Sequence, residues 1–409
     1  VRTRSRKLTD TDTAAALRVF ASGDTEFCHT HHVTVQTPLR PKFEFADGLR
    51  AVAALTVAVY HAMTFTGTTG TVKAEIPAFW TLMQIGNYAV PVFIVLSGFV
   101  LMLPVARDSS FELRGGLVQY IGRRAKRILP PYYVSLALFL LLIWMVPVLQ
   151  ADGGTAWDNK VPVTPGGLLS HLFLVHNWNG EWIYQINGPA WSIATEWQIY
   201  FLLPLVLLPL WRRIGPWWTV SIALAAGFAI GQYVPFLQSA HYWFIGLFGL
   251  GMFAAHLAVR GTRLNAGWPA AILSTLAIAW VWIDPESAER RNMLSETLAG
   301  TAVSLALLWL GNATLRGERT WLHRVLETRF LAHLGLWSYS FYLVHSPLLG
   351  LANLLLLPLG LPAWAQLILM LCAALPAAAG ASYLFHVLVE RRFMTSHQRL
   401  VAKNGHAPG

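Results

Sequence analysis

The sequence predicts an all-α, polytopic membrane protein with about ten transmembrane helices and both termini in the cytoplasm. The composition is the first reason: 55% of residues are hydrophobic and 12% charged, about half the charged fraction of a soluble domain. The second is a series of apolar runs that approach or exceed the roughly 20 residues needed to cross a bilayer. Many of the 18 Trp and 12 Tyr stand at the ends of those runs, where amphipathic rings meet the lipid head groups. The third is the distribution of positive charge. Spans near 44–66, 86–106, 131–149, 188–211, 217–234, 240–260, 267–284, 294–311, 335–357 and 362–390 place 25 of the 30 Lys and Arg on one side. The opposite side holds Lys73, Lys160, Arg290 and Arg291, and the last cation, Arg50, lies inside the first span. Positive residues stay in the cytoplasm, which orients the chain. The net charge of +10 is therefore a mark of topology, and no nucleic-acid partner is expected.

Residues 1–43 form a polar, basic tail expected to be disordered, without the apolar core of a cleavable signal. The first span should then act as an uncleaved anchor. Within the tail, Cys28-His29-Thr30-His31-His32 has a spacing that suits no common structural zinc pattern, and no metal is expected. The two cysteines, Cys28 and Cys372, imply no disulfide framework.

The first span carries Arg50 and His61, eleven residues apart. At about 100° and 1.5 Å per residue they share one helix face, about 16 Å apart. Ionisable groups in hydrocarbon are costly and mark functional sites by default. The plainer reading is an Asp47–Arg50 pair holding the helix end, with His61 satisfied by a neighbouring helix. The second span opens on Val90-Pro91-Val92-Phe93-Ile94-Val95-Leu96-Ser97-Gly98-Phe99. A basic loop from 107 to 128 follows, ending in Arg123-Arg124-Ala125-Lys126-Arg127. Guanidinium forks suit phosphates, although such a loop also serves as an anchor on anionic lipid. The outer segment 150–187 contains an apolar run, 168–175, too short to span and expected to lie re-entrant or on the surface.

The fourth span starts Asn187-Gly188-Pro189-Ala190-Trp191-Ser192, and Ser192, Glu196 and Tyr200 recur on one face. Short connections and few polar residues mark the later spans until the ninth, where Ser338, Phe341, Tyr342 and His345 fall on one stripe. Counting about 1.5 Å per residue from the predicted edges puts Glu196, His345 and His61 in the middle-to-outer part of the membrane. Residues 394–409 are a cytoplasmic tail.

Several chemistries are absent. There is no G-x-S-x-G elbow, no P-loop, no G-x-G-x-x-G and no H-E-x-x-H. Nor is there a visible internal repeat, which weighs against many secondary-transporter folds.

Taken together, the motifs resemble the acyltransferase-3 family of integral membrane acyltransferases, over about 43–393. The matching elements are Asp47-Gly48-Leu49-Arg50 followed by ten residues and His61, the stretch 92–99, and the run 123–130 with Arg124 and Arg127 three apart. To these are added Trp191-Ser192 with Glu196 and Tyr200, and the run 338–345 ending in His345. The resemblance implies a membrane acyltransferase domain over 44–393 in the cell membrane, standing without an appended soluble domain. It implies transfer of an acyl group, usually acetyl, from acyl-CoA to a hydroxyl, with sugars of envelope polymers as common acceptors and macrolides in one branch. The excess of 24 Arg over 6 Lys suits a GC-rich actinomycete and hence the macrolide branch. Arg50, Arg123, Arg124 and Arg127 would hold the CoA phosphates, with His61 as general base or, through an acyl-histidine intermediate, as nucleophile. Glu196 or His345 would orient that imidazole or bind the acceptor, and Asp47, Ser97, Trp191, Ser192 and Tyr342 would contact substrate. A proton-coupled transporter or flippase is the rival class, since buried ionisable groups also relay protons, and an inactive scaffold is the third.

Overall fold

A chain surrounded by hydrocarbon must satisfy its backbone groups internally, so apolar runs of this length fold as helices. The computed structural model describes residues 43–285 and 293–394. The expectations for the N-terminal tail with its Cys/His cluster, for Arg290 and Arg291, and for the C-terminal tail fall outside them. Among the described residues there is no strand, and seven helical stretches are long and apolar enough to cross a membrane. The protein is an all-α, multi-pass membrane protein.

Its main helices are α1 (Phe45–Phe65), α2 (Ala89–Ala106), α3 (Gly116–Met145), α4 (Pro165–Leu172), α5 (Ala190–Leu202), α6 (Leu208–Tyr233), α7 (Phe244–Val259), α8 (Gly267–Ile283), α9 (Met293–Leu315), α10 (Arg329–Leu356) and α11 (Leu375–Leu388). Two of them, α7 and α8, are apolar but shorter than the seven long stretches. The stretch Ala190–Tyr233 covers α5 and α6 and breaks at Gly215, with φ 82 and ψ 170. A residue preceding proline is pushed out of the α region, and only glycine takes this positive φ without strain. Gly215 before Pro216 thus makes the turn that the sequence places between the fourth and fifth spans.

One expectation is corrected. The basic loop read over 107–128 is only 107–115; Gly115, at φ 77, starts a 30-residue helix that carries Arg123, Arg124 and Arg127. Pro130 and Pro131 lie inside α3 and do not end it. The Tyr339 hydroxyl on α10 donates to the Ile128 carbonyl at 3.0 Å, a tertiary tie across the proline step. The run 168–175 overlaps the last five residues of α4, with Leu169, Leu172 and Phe173 exposed, in keeping with a surface-lying piece.

Two close crossings fix the helices that bear the candidate site. A Cβ at Gly48 would lie 1.9 Å from the carbonyl oxygen of Leu326, in the short helix Trp321–Leu326 that precedes α10, and one at Gly335 of α10 would lie 2.2 Å from that of Asp47. The backbones of α1 and α10 touch where Asp47 and Arg50 emerge. Gly98 and Gly251 do the same for α2 against α7. Small residues permitting such approach are the usual currency of helix association in lipid. A third tie concerns Pro347 within α10. Proline supplies no N–H to the carbonyl four residues back, and the Asn187 side-chain amide donates to that Leu343 carbonyl at 2.8 Å instead. The segment leading into α5 is thereby pinned beside His345.

In the segment before α5, His171 and His176 are fully buried and stack at 3.8 Å, 7° from parallel. Burial pushes His171 down to about 4 and holds His176 well below the ordinary imidazole range. Both are neutral when folded, so their contribution is complete above the unfolded value near 6.5 and is lost as pH falls toward 4. For His171 alone that loss amounts to about 2 kcal/mol at pH 5. The thermal midpoint of detergent-solubilised protein should drop between pH 7 and pH 5, and drop less in His176→Leu. An equal drop in both would show that the pair does not carry the acid sensitivity.

Candidate active site

Two cavities lie inside the helix bundle. The first, about 440 Å³, is lined by Asp47 and Arg50 of α1, Ser97 of α2, Arg123, Arg124 and Arg127 of α3, Ser192, Glu196 and Tyr200 of α5, and Ser338, Tyr339 and Tyr342 of α10. All four arginines singled out in the sequence thus face one space. Arg50 is ion-paired with Asp47 at 2.6 Å, and Arg123 donates to Gln119 Oε1 and to the Arg114 carbonyl. Arg124 differs: its Nε is buried without a hydrogen-bond partner, and so is the Tyr120 hydroxyl. Buried donors are almost always satisfied, so this unsatisfied Nε–H suits an anionic ligand. Glu196 sits across the same cavity, where Oε1 accepts from Ser97 at 2.5 Å and from Tyr200.

His61 and Trp191 line the second cavity, of about 690 Å³, together with Tyr60, Phe65, Asn87, Asn159, Lys160, Tyr184, Gln238 and Trp243. His61 Nδ1 lies 2.9 Å from His345 Nε2, and His345 Nδ1 bonds the Phe341 carbonyl at 2.7 Å. Trp191 packs on His241 with ring centroids 4.3 Å apart. Residues lining the two cavities touch. Ser192 and Tyr342 line the first and share a 2.6 Å hydrogen bond. The Tyr342 hydroxyl reaches the carbonyl of Pro189, a residue lining the second.

The structure therefore gathers the twelve sequence-selected residues into two groups. Arg50, Asp47, Ser97, the α3 arginines, Ser192, Glu196 and Tyr342 belong to the first cavity, and His61 and Trp191 to the second. His345 is buried behind His61. Glu196 and His61 line different cavities, although the depth count set them near one level: depth along a helix says nothing about which way a face turns.

Three groups were not singled out. Lys160 lines the second cavity, only 6% exposed, its ammonium donating to the Ala156 carbonyl and Asn159 and lying over Phe65 and Tyr184. Glu390 is buried, accepting from Ser340 at 2.6 Å and bonding His386 at 2.8 Å. The four-residue spacing of His386 and Glu390 was its available signal. Tyr120, one helical turn before Arg124, is the third. Among the described residues no cluster of three or more His, Cys, Asp or Glu is placed to hold a metal.

Residues 43–386 match the acyltransferase-3 model, described as an acyltransferase domain. The chain is 27% identical over 302 residues to Acyltransferase MdmB of Streptomyces mycarofaciens, covering 64% of this chain and 68% of the relative. It is 24% identical over 352 residues to the peptidoglycan O-acetyltransferase OatA of Listeria monocytogenes, covering 75% of this chain and 49% of that protein. A putative peptidoglycan O-acetyltransferase of Bacillus subtilis, YrhL, matches at 29% over 177 residues, or 40% of this chain and 23% of the relative. The chain thus spans about two thirds of the first relative and half or less of the other two. No solved structure matches it. With most of its length matched by the family model, the chain belongs to the acyltransferase-3 family of integral membrane acyltransferases.

Proposed function

We propose that this membrane acyltransferase takes an acetyl or other short acyl group from acyl-CoA and esterifies a hydroxyl of a sugar, or of a glycosylated small molecule such as a macrolide. The observation that carries the reading is the pairing of an arginine-lined cavity with a histidine-lined one, their linings joined by the hydrogen bond from Tyr342 to the Pro189 carbonyl. CoA is polyanionic at one end and a thioester at the other. Arg124 and Arg127, with Arg50 and Arg123 beside them, bind the phosphates through charge-assisted bonds. The pantetheine arm runs past Ser97 and Glu196 toward Ser192 and Tyr342. The roughly 16 Å from Arg50 to His61 is of the order of that arm. In the second cavity, Trp191 and Tyr184 offer ring faces and Asn87, Asn159 and Gln238 offer amides, a mixture suited to an amphipathic polyol. His61 removes the hydroxyl proton, the oxygen forms the ester bond, the C–S bond breaks, and the His61 imidazolium returns that proton to the departing thiolate, so that CoA leaves as the thiol and His61 is restored.

Purified protein incubated with labelled acetyl-CoA and a panel of sugars and macrolides tests this. The expected result is a labelled ester dependent on one class of acceptor. Folded protein that binds no acyl-CoA and labels no acceptor would sink the reading, and accumulation of unmodified solute in proteoliposomes would favour a transporter.

The same reading sets ten crossings with both termini and the arginine cavity on the cytoplasmic side, supported by the 25 of 30 basic residues assigned there. In a cysteine-free background, Asp152→Cys in intact cells should react with an impermeant thiol reagent and Arg324→Cys should not. The reverse pattern would invert the assignment.

A further inference from the structure

Catalysis by His61 depends on which of its ring nitrogens carries the proton, and the hydrogen bonds behind it decide that. His345 Nδ1 lies 2.7 Å from the Phe341 carbonyl oxygen, an acceptor only, so Nδ1 bears a hydrogen. A neutral imidazole has just one N–H. His345 is 0% exposed, and burying an imidazolium without a counter-charge is costly, so its Nε2 holds a lone pair. That Nε2 lies 2.9 Å from His61 Nδ1, and one of the two must donate. The donor is His61.

The ring geometry agrees. The two imidazoles are 12° from parallel with centroids 5.1 Å apart, the separation that an in-plane N–H···N bond of this length imposes. Face-to-face stacking would bring them closer, as it does for His171 and His176 at 3.8 Å.

We propose that His345 is a positioning residue that holds His61 in the Nδ1–H tautomer, leaving the lone pair on Nε2 to receive the acceptor's proton. This deepens the reading of His61 as the general base and rests on it. The relay runs from the Phe341 carbonyl through His345 to His61, all but His61 supplied by one turn of α10. Because His345 is neutral, it works through orientation and tautomer selection and not as a counter-charge. As His61 becomes an imidazolium, its Nδ1–H bond to His345 persists and shortens, and no second proton moves. The device differs in this respect from a carboxylate-backed histidine, where the partner also stabilises the positive charge.

Two substitutions separate the positioning role from packing. In His345→Gln the amide oxygen takes the place of Nε2 and still accepts from His61, while the tie to Phe341 is lost. In His345→Asn the amide reaches only the Nδ1 position, keeping the Phe341 tie and losing the acceptor. The expected result is a fall in kcat of about 10²-fold or more for His345→Asn with both KM values unchanged, and recovery to within about tenfold of wild type for His345→Gln. A purely structural His345 gives the opposite order, and that order overturns the proposal. The tautomer is also read without turnover. In ¹⁵N-histidine-labelled wild type in nanodiscs, signals assigned with His61→Ala and His345→Asn should show both residues protonated at Nδ1 and bare at Nε2. A proton on His61 Nε2 at neutral pH refutes the relay whatever the activity. Absence of any acyl transfer by the wild type defeats the proposed function while the resonance measurement still decides the tautomer.

Discussion

His61→Ala is expected to abolish acyl transfer and to leave acyl-CoA binding nearly intact. A positioned acid–base group contributes about 10²–10⁴-fold, and the loss should fall on kcat because the imidazole meets the reacting hydroxyl and not the donor's phosphates. His61 lines a cavity of about 690 Å³, so removing the ring enlarges an existing space and does not open a sealed void. Large-to-small changes are most costly where the site cannot relax within a packed core, and that cost is limited here. Equilibrium dialysis with labelled acyl-CoA, run beside single-turnover transfer on the same preparation, separates binding from chemistry. Folded His61→Ala protein with wild-type turnover would end the mechanism. Loss of donor affinity matching the loss of turnover would instead place His61 in the donor site.

Much of this site was legible because its chemistry is written in local spacings. The eleven residues from Arg50 to His61 return to one face of α1, and that helix is unbroken from Phe45 to Phe65. The four-residue step from Glu196 to Tyr200 is realised as a hydrogen bond. What sequence could not give are contacts between residues far apart in the chain. His61 and His345 are 284 positions apart, and Ser97 and Glu196 are 99 apart. No periodicity reports such pairs. The basic segment was misread because consecutive prolines usually end a helix, whereas α3 continues through Pro130 and Pro131 with α10 packed against it. Short α7 and α8 read well as apolar runs, yet neither reaches the length of the other spans. The division into two cavities was also invisible, since it depends on how α5 turns its Ser192 and Glu196 face toward α2 and α3.

Arg124→Ala and Arg127→Ala should each weaken acyl-CoA binding by about 10–10²-fold, the equivalent of the roughly 1.5–3 kcal/mol carried by a hydrogen bond to a charged group. Arg124 has the stronger case, because its Nε is buried and unsatisfied. A ligand oxygen placed there relieves a standing cost as well as adding a charge pair. Arg124→Lys should recover only part of the affinity, since an ammonium keeps the charge but not the bidentate fork. The deciding comparison is acyl-pantetheine, which carries the thioester without the nucleotide phosphates. If the arginines hold phosphate, the alanine variants should use acyl-pantetheine as well as wild type does while failing with acyl-CoA. Equal losses with both donors would mean that α3 is distorted by the substitutions, and unchanged acyl-CoA affinity would reduce the arginine row to an anchor on anionic lipid. The contrast between the two donors thus ties the charge of α3 to a particular part of the donor, which its position in the membrane alone does not.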